Sequence, residues 1–160
     1  MLNTKVVLVW AIFAVPAYAG PLSFSFTSSL LNVPLGGTVT FSATLTNTGT
    51  TNLFLNSDSF NIAPPLVLND AKFFLNTPLF LTAGQSVTAP ILDVTAPSGS
   101  AFGLHVGSMS VLGGATANEL TTQASQTFAV NVVPEPGGLT LLLVGLSAFG
   151  WVRRRSQGWR

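Results

Sequence analysis

The sequence predicts an all-β fold: a single antiparallel β-sandwich flanked by an apolar helix at each terminus. Three observations carry this. Several segments alternate apolar and polar residues with period two, as half-buried strands do. Clusters of Gly, Pro, Asn and Asp punctuate those segments at short intervals. No stretch between Gly20 and Val133 shows a helical period. The chain has 160 residues; with about twenty at each end set apart, one such domain fits and two do not.

The first element, residues 1–19, is divided as an export signal is. Lys5 is its positive start, Val6 to Val15 an unbroken apolar stretch, and Pro16-Ala17-Tyr18-Ala19 its close. Ala17 and Ala19 form the site expected for signal peptidase, whose pocket at those two positions admits little more than a methyl group. Cleavage after Ala19 is expected. An apolar run of about ten residues is too short to cross a bilayer, which argues against an uncleaved anchor.

Residues 20–133 form the sandwich. Phe24 and Phe26 alternate with serines in the first strand. Thr38 to Thr46 places Val39, Phe41, Ala43 and Leu45 on one face and Thr38, Thr40, Thr44 and Thr46 on the other. Further strands are expected at Leu53 to Ile62, Phe73 to Leu75, Ser86 to Val94 and Phe102 to Leu112, with Phe128, Val130 and Val132 marking the last. Gly36-Gly37, Asn47-Thr48-Gly49, Pro64-Pro65, Asn69-Asp70, Ala83-Gly84, Pro97-Ser98-Gly99 and Gly113-Gly114 supply the turns. Around seven short strands at this spacing indicate a sandwich of immunoglobulin-like type.

Residues 134–160 read differently. Pro134 and Pro136 fix their own φ, lack amide donors and disfavour helix in the residues before them. Val133 to Pro136 is thereby held extended, with Glu135 as its one charge. A transmembrane helix is expected over about 138–152. The uncharged stretch from Gly137 to Val152 would reach ~24 Å as a helix, slightly short of a ~30 Å hydrocarbon core. Trp151 at the headgroup level and snorkelling arginines make up the difference. Arg153, Arg154 and Arg155 form a basic stop that stays cytoplasmic, so the domain lies on the other side.

Three parts occur here in a fixed order: Val133-Pro134-Glu135-Pro136, then Leu141-Leu142-Leu143 with Gly145-Leu146, then Arg153-Arg154-Arg155. Together they resemble the PEP-CTERM sorting signal of Gram-negative bacteria. The resemblance implies a substrate of exosortase, a membrane-embedded cysteine transpeptidase-like enzyme that removes the tail and sends the protein to the cell surface. Sorted proteins of this kind are associated with exopolysaccharide, floc or biofilm matrix. Within the domain, Leu35-Gly36-Gly37-Thr38-Val39-Thr40-Phe41 followed by Leu45-Thr46-Asn47-Thr48-Gly49 resembles the B-strand region of bacterial immunoglobulin-like domains. Ala101-Phe102-Gly103-Leu104-His105-Val106-Gly107 resembles their late, small-residue-rich strand. Such likeness implies a fold class and no activity.

Composition narrows the chemistry. Only 7% of residues are charged, against ~25% in ordinary soluble domains. Between Gly20 and Val133 one cation, Lys72, faces Asp58, Asp70, Asp93 and Glu119, a formal −3. A basic stripe for nucleic acid is absent. Cysteine is absent too, which excludes disulfides, thiolate metal sites and a cysteine nucleophile. His105 is the single histidine and has no acid beside it in sequence to orient it as a base. The four carboxylates are scattered, and Asn56 to Asn61 lacks the several acids of a calcium loop, so it reads as a polar strand edge or turn. The threonine face reads first as a polar outer surface, second as a flat hydroxyl platform for polysaccharide or O-linked sugar. No catalytic residue, metal site or cofactor is expected.

The functional expectation is therefore a non-enzymatic exported protein, first held in the inner membrane by one helix and then released to the cell surface or extracellular matrix, with a structural or adhesive role. The alternative is a polysaccharide-binding module, which requires outward aromatic residues. A hydrolase would require two carboxylates brought together in a cleft.

Overall fold

The structure, a computed structural model, describes residues 20–134. The signal-peptidase residues Ala17 and Ala19, the sorting residues Glu135 and Pro136, the predicted transmembrane helix and Arg153, Arg154 and Arg155 all lie outside the described residues.

Nine strands and one short helix follow in order: β1 (Leu22–Phe26), β2 (Leu30–Pro34), β3 (Thr38–Asn47), β4 (Leu53–Ile62), β5 (Val67–Asn69), α1 (Ala71–Asn76), β6 (Phe80–Leu81), β7 (Ser86–Thr95), β8 (Gly103–Gly114) and β9 (Thr121–Val133). They build two sheets, β1-β3-β7-β5 and β2-β9-β8-β4-β6. The inner faces meet over an aromatic cluster. Phe41 of the first sheet lies 4.9 Å from Phe128 of the second, and Phe26 packs edge-on against both. Phe41, Leu45, Ile91, Leu92, Met109, Val111 and Val130 are completely buried around it. Apolar burial of this kind supplies most of the drive to fold, and here no disulfide assists it.

β3 and β4 match the predicted strands, β7 and β8 match within about two residues, and β9 begins at Thr121, seven residues before the Phe128 that marked it in the sequence. Three differences have physical causes. β2 pairs with β9 in parallel, Leu30 opposite Ala129 and Pro34 opposite Val133, so the sandwich is not wholly antiparallel. The chain does not turn after β1. It crosses to the other sheet through Thr27 to Ser29 and continues in the same direction. Thr27 N–H bonds Ser42 O of the first sheet, and Ser29 O accepts Ala129 N–H of the second.

Phe73 to Leu75, predicted as a strand, belongs to helix α1. A three-residue apolar run carries no decisive period. Only Phe73 is buried, while Phe74 and Leu75 are exposed. Local side chains frame the turn: Asn69 Oδ1 accepts Ala71 N–H at 2.9 Å, and Thr77 Oγ1 donates to Phe73 O at 2.6 Å. The third difference is that β2, β5 and β6 carry no clear alternation, and the last two have only three and two residues.

Three β-bulges adjust which residues face inward; the one in β9 inserts Gln123, which is buried, opposite Val111 and Leu112. Opposite Phe41 and Ser42, β7 carries Ile91 as an extra residue, so Ile91 and Leu92 are both buried. Opposite Gly113 and Leu112, β4 carries the extra Asn56. The parity of β4 switches there, as one inserted residue requires. Leu53 and Leu55 face the core before the bulge; Asp58, Phe60 and Ile62 lie on that side after it, opposite Val111, Met109 and Gly107.

Asn47 closes the far end of the sandwich. It is completely buried, its amide donates to Thr51 O (2.7 Å) and Leu81 O (2.9 Å), and its oxygen accepts Gly49 N–H (2.9 Å). Asn47→Leu keeps the volume but strands three backbone groups. The expected loss is about 2–4 kcal/mol, read as a lower urea midpoint with an unchanged m-value.

Candidate functional site

The chain leaves the sandwich at the end of β9, where Pro134 is exposed and outside regular structure. Every element that surrounds this exit is fixed by the register. Val133 pairs with Pro34, and Val132 with Gly103. The turn from β2 to β3 and the loop from β7 to β8 lie beside them, because Thr38 pairs with Thr95. These two connections are tied to each other: Gly36 N–H donates to Ala96 O and Ala96 N–H to Gly37 O, at 2.6 and 3.0 Å. Gly36 has φ 73°, the left-handed region that this turn requires of glycine. The first residue of the sorting tripeptide thus leaves a rigid sheet directly.

The threonine face has a definite use. Thr38 Oγ1 lies 2.8 Å from Thr95 Oγ1, Thr44 Oγ1 2.8 Å from Thr88 Oγ1, and Thr46 Oγ1 2.6 Å from Ser86 Oγ. Thr40 Oγ1 donates to Asp93 Oδ1 at 2.6 Å. These are cross-strand pairs on the outer face of the β3–β7 ladder, each a small stabilising contribution. Lys72 joins them, its Nζ 2.8 Å from Asp93 Oδ1 and 2.9 Å from Thr40 Oγ1. Burial pushes the Asp93 carboxyl upward, but the hydrogen bonds from Lys72 and Thr40 outweigh it and hold it below its ordinary value.

The structure also brings two of the scattered carboxylates together. Asp58 lies on the inner side of β4, and Asp70 precedes α1 without capping it. Both Asp58 oxygens are out of solvent and have no hydrogen-bond donor. Burial, and then the neighbouring Asp70 charge and carboxyl, raise the Asp58 pKa from 3.8 to about 7. Asp58 therefore keeps its proton well above the ordinary carboxylate range. Twelve residues of sequence separate these acids, so no short spacing announced them. The available signal was the alternation Asp58, Phe60, Ile62, visible only once the bulge at Asn56 is known.

Two shallow depressions of about 250 and 280 Å³ are lined by neither Asp58 nor Asp70. The first lies near the start of β9 and includes Glu119, whose carboxylate already accepts Ala115 N–H at 2.8 Å. The second, between β4, β8 and β9, is lined by Asn61, Val106, Ser108 and Thr127 and holds no carboxylate. His105 faces inward opposite Val130, and its Nε2 lies 2.9 Å from Ala101 O. That contact steadies the β7–β8 loop. Among the described residues, no group of three or more His, Cys, Asp or Glu could hold a metal ion, and no helix is long and apolar enough to cross a membrane.

Comparison with known proteins agrees with both parts of this picture. Residues 132–156 match the PEP-CTERM protein-sorting motif, which implies export, a membrane-anchored precursor and exosortase-dependent sorting. No curated protein matches the chain. Among solved structures, the domain is similar to part of native α2-macroglobulin from Escherichia coli, from domain MG7 to the C-terminus. There the identity is 18% and the TM-score 0.51, over 72% of this chain and 17% of that one. The ASH/PapD-like domain of human CEP192 aligns at 11% identity and TM-score 0.44, over 84% of this chain and 99% of that one. The likeness to the α2-macroglobulin segment concerns the fold alone.

Proposed function

We propose that the chain is a non-catalytic structural or adhesive protein that exosortase delivers to the cell surface or extracellular matrix, where it associates with exopolysaccharide. One observation carries the reading: the sorting motif begins on the last residues of β9, so the sandwich itself is what the tail delivers. The state of its polar groups supports a structural role. The outer hydroxyls of β3 are paired across strands, and both oxygens of Asp58 are out of solvent.

Replacing Pro134, Glu135 and Pro136 with alanine removes the fixed φ angles and the one charge of the recognition segment. Full-length chain should then accumulate in the inner membrane and vanish from the matrix fraction, as read by fractionation and intact mass. Normal processing of that variant would discard the sorting reading. The role of the domain is tested separately with exopolysaccharide from the producing organism. Retention of the chain on the polymer with no change in polymer length is expected. Shortened polymer would indicate a hydrolase instead.

A further inference from the structure

We propose that the exit end of the sandwich is a membrane-docking surface, on which Phe102 and Leu104 rest in the headgroup region while the tail still anchors the precursor. The inference rests on the anchored-precursor reading and adds to it a partner for the domain, the lipid interface itself. The first argument is reach. β9 ends at Val133, and the uncharged tail segment is under way by Gly138. Five residues span at most about 18 Å even fully extended. Headgroup layers are themselves several Å thick, so this end of the domain is held against the bilayer.

The second argument is composition. The segments that build the exit end are residues 34–38, 62–68, 95–106 and 129–134, and none contains Asp, Glu, Lys or Arg. All five charged residues of the domain lie in other segments. What the exit end presents is apolar: Val67, Phe102, Leu104 and Val106 are 56%, 58%, 62% and 59% exposed. Phe102 and Leu104 flank Gly103, the register partner of Val132, and so sit beside the departing strand. A neutral apolar rim with an aromatic residue suits an interface where one side is wet and the other is not. The rim itself carries no acid, and Glu135 in the short link is the one negative charge between it and the tail segment.

A second exposed apolar cluster, Phe74, Leu75, Leu79 and Phe80, surrounds α1 and lies away from the exit. It serves as the control surface. Because the chain contains no cysteine, single labels are straightforward. The full chain is reconstituted into phosphatidylethanolamine–phosphatidylglycerol nanodiscs with a nitroxide at Phe102→Cys, Leu104→Cys, Leu75→Cys, Ala117→Cys or, within the tail, Ala148→Cys. Accessibility to oxygen and to a water-soluble nickel chelate is then measured. The ratio of oxygen to nickel accessibility should rise several-fold at positions 102 and 104 over positions 75 and 117, and most at 148. Water-exposed labels at 102 and 104 beside an immersed 148 would overturn the docking alone. An exposed 148 would overturn the anchoring reading and the docking with it. Equal immersion at 75, or dipolar broadening at 102 without oxygen accessibility, would assign the surface to unspecific adsorption or to a second copy and so refute it.

Discussion

Asp58→Asn is expected to stabilise the domain by about 2–4 kcal/mol at pH 8 and to change it little at pH 4. The sign follows from linkage. The folded state raises the Asp58 pKa from 3.8 to about 7, so between those values the folded chain binds more protons than the unfolded one. Stability then falls as pH rises through that window. About three units at ~1.36 kcal/mol each set an upper limit near 4 kcal/mol, reduced by whatever solvent the half-buried residue retains. The amide has nearly the same shape, carries no charge and can donate to the Asp70 carboxylate. Urea unfolding from pH 4 to pH 8 measures this directly. The domain contains neither Trp nor Tyr, so circular dichroism is the suitable probe. An unchanged pH slope in the variant would sink the assignment. Asp93, whose pKa is lowered, acts in a separate window: its contribution is lost only as pH falls below the ordinary carboxylate range.

The same residue shows where legibility ended. β3 could be read from sequence because its period is unbroken and each face is uniform, apolar inward and hydroxyl outward. Turn chemistry placed most of its neighbours. The helix at Ala71–Asn76 was not legible, since three apolar residues suit either period and Asn69 and Thr77 decided locally. Nor was the crossing from β1 to β2, where Thr27 to Ser29 include no Gly, Pro, Asn or Asp to mark it. The polar run from Asn56 to Asn61 reads as surface, and one inserted residue turns Asp58 inward. A bulge is set by contacts across the sheet: Asn56 Nδ2 reaches Thr116 O and Glu119 O, both at 2.8 Å, from a loop some sixty positions away. At the sorting end the balance was reversed. The tripeptide and the basic stop were legible at once, because a targeting signal is read as a linear segment. The neutral rim beside it was not, because it is assembled from four separate segments.

Gly113→Ala should be the most damaging small substitution in the sheet, costing about 3 kcal/mol or more. Overpacking a sheet by one methyl typically costs about 1–3 kcal/mol when side chains can move aside. Here they cannot. A Cβ at Gly113 would overlap the Phe54 carbonyl oxygen and come within 2.9 Å of its carbon, both backbone atoms of the neighbouring strand. The carbonyl of Gly113 is itself held by Thr121 Oγ1 and Gln123 Nε2, each at 2.9 Å, so β8 has little freedom to retreat. Relief would have to come from β4, at the bulge that sets its parity. The variant should therefore lose its urea midpoint and also lose part of the Asp58 pH slope, since the residue is no longer pressed inward. Gly99→Ala is the matched control: nothing lies within 4 Å of its Cβ position, and the loss of unfolded-state entropy should leave it neutral or up to about 0.5 kcal/mol more stable. Equal stability of the two variants would show that β4 and β8 are not pinned at this point, and would remove the bulge as the cause of Asp58 burial.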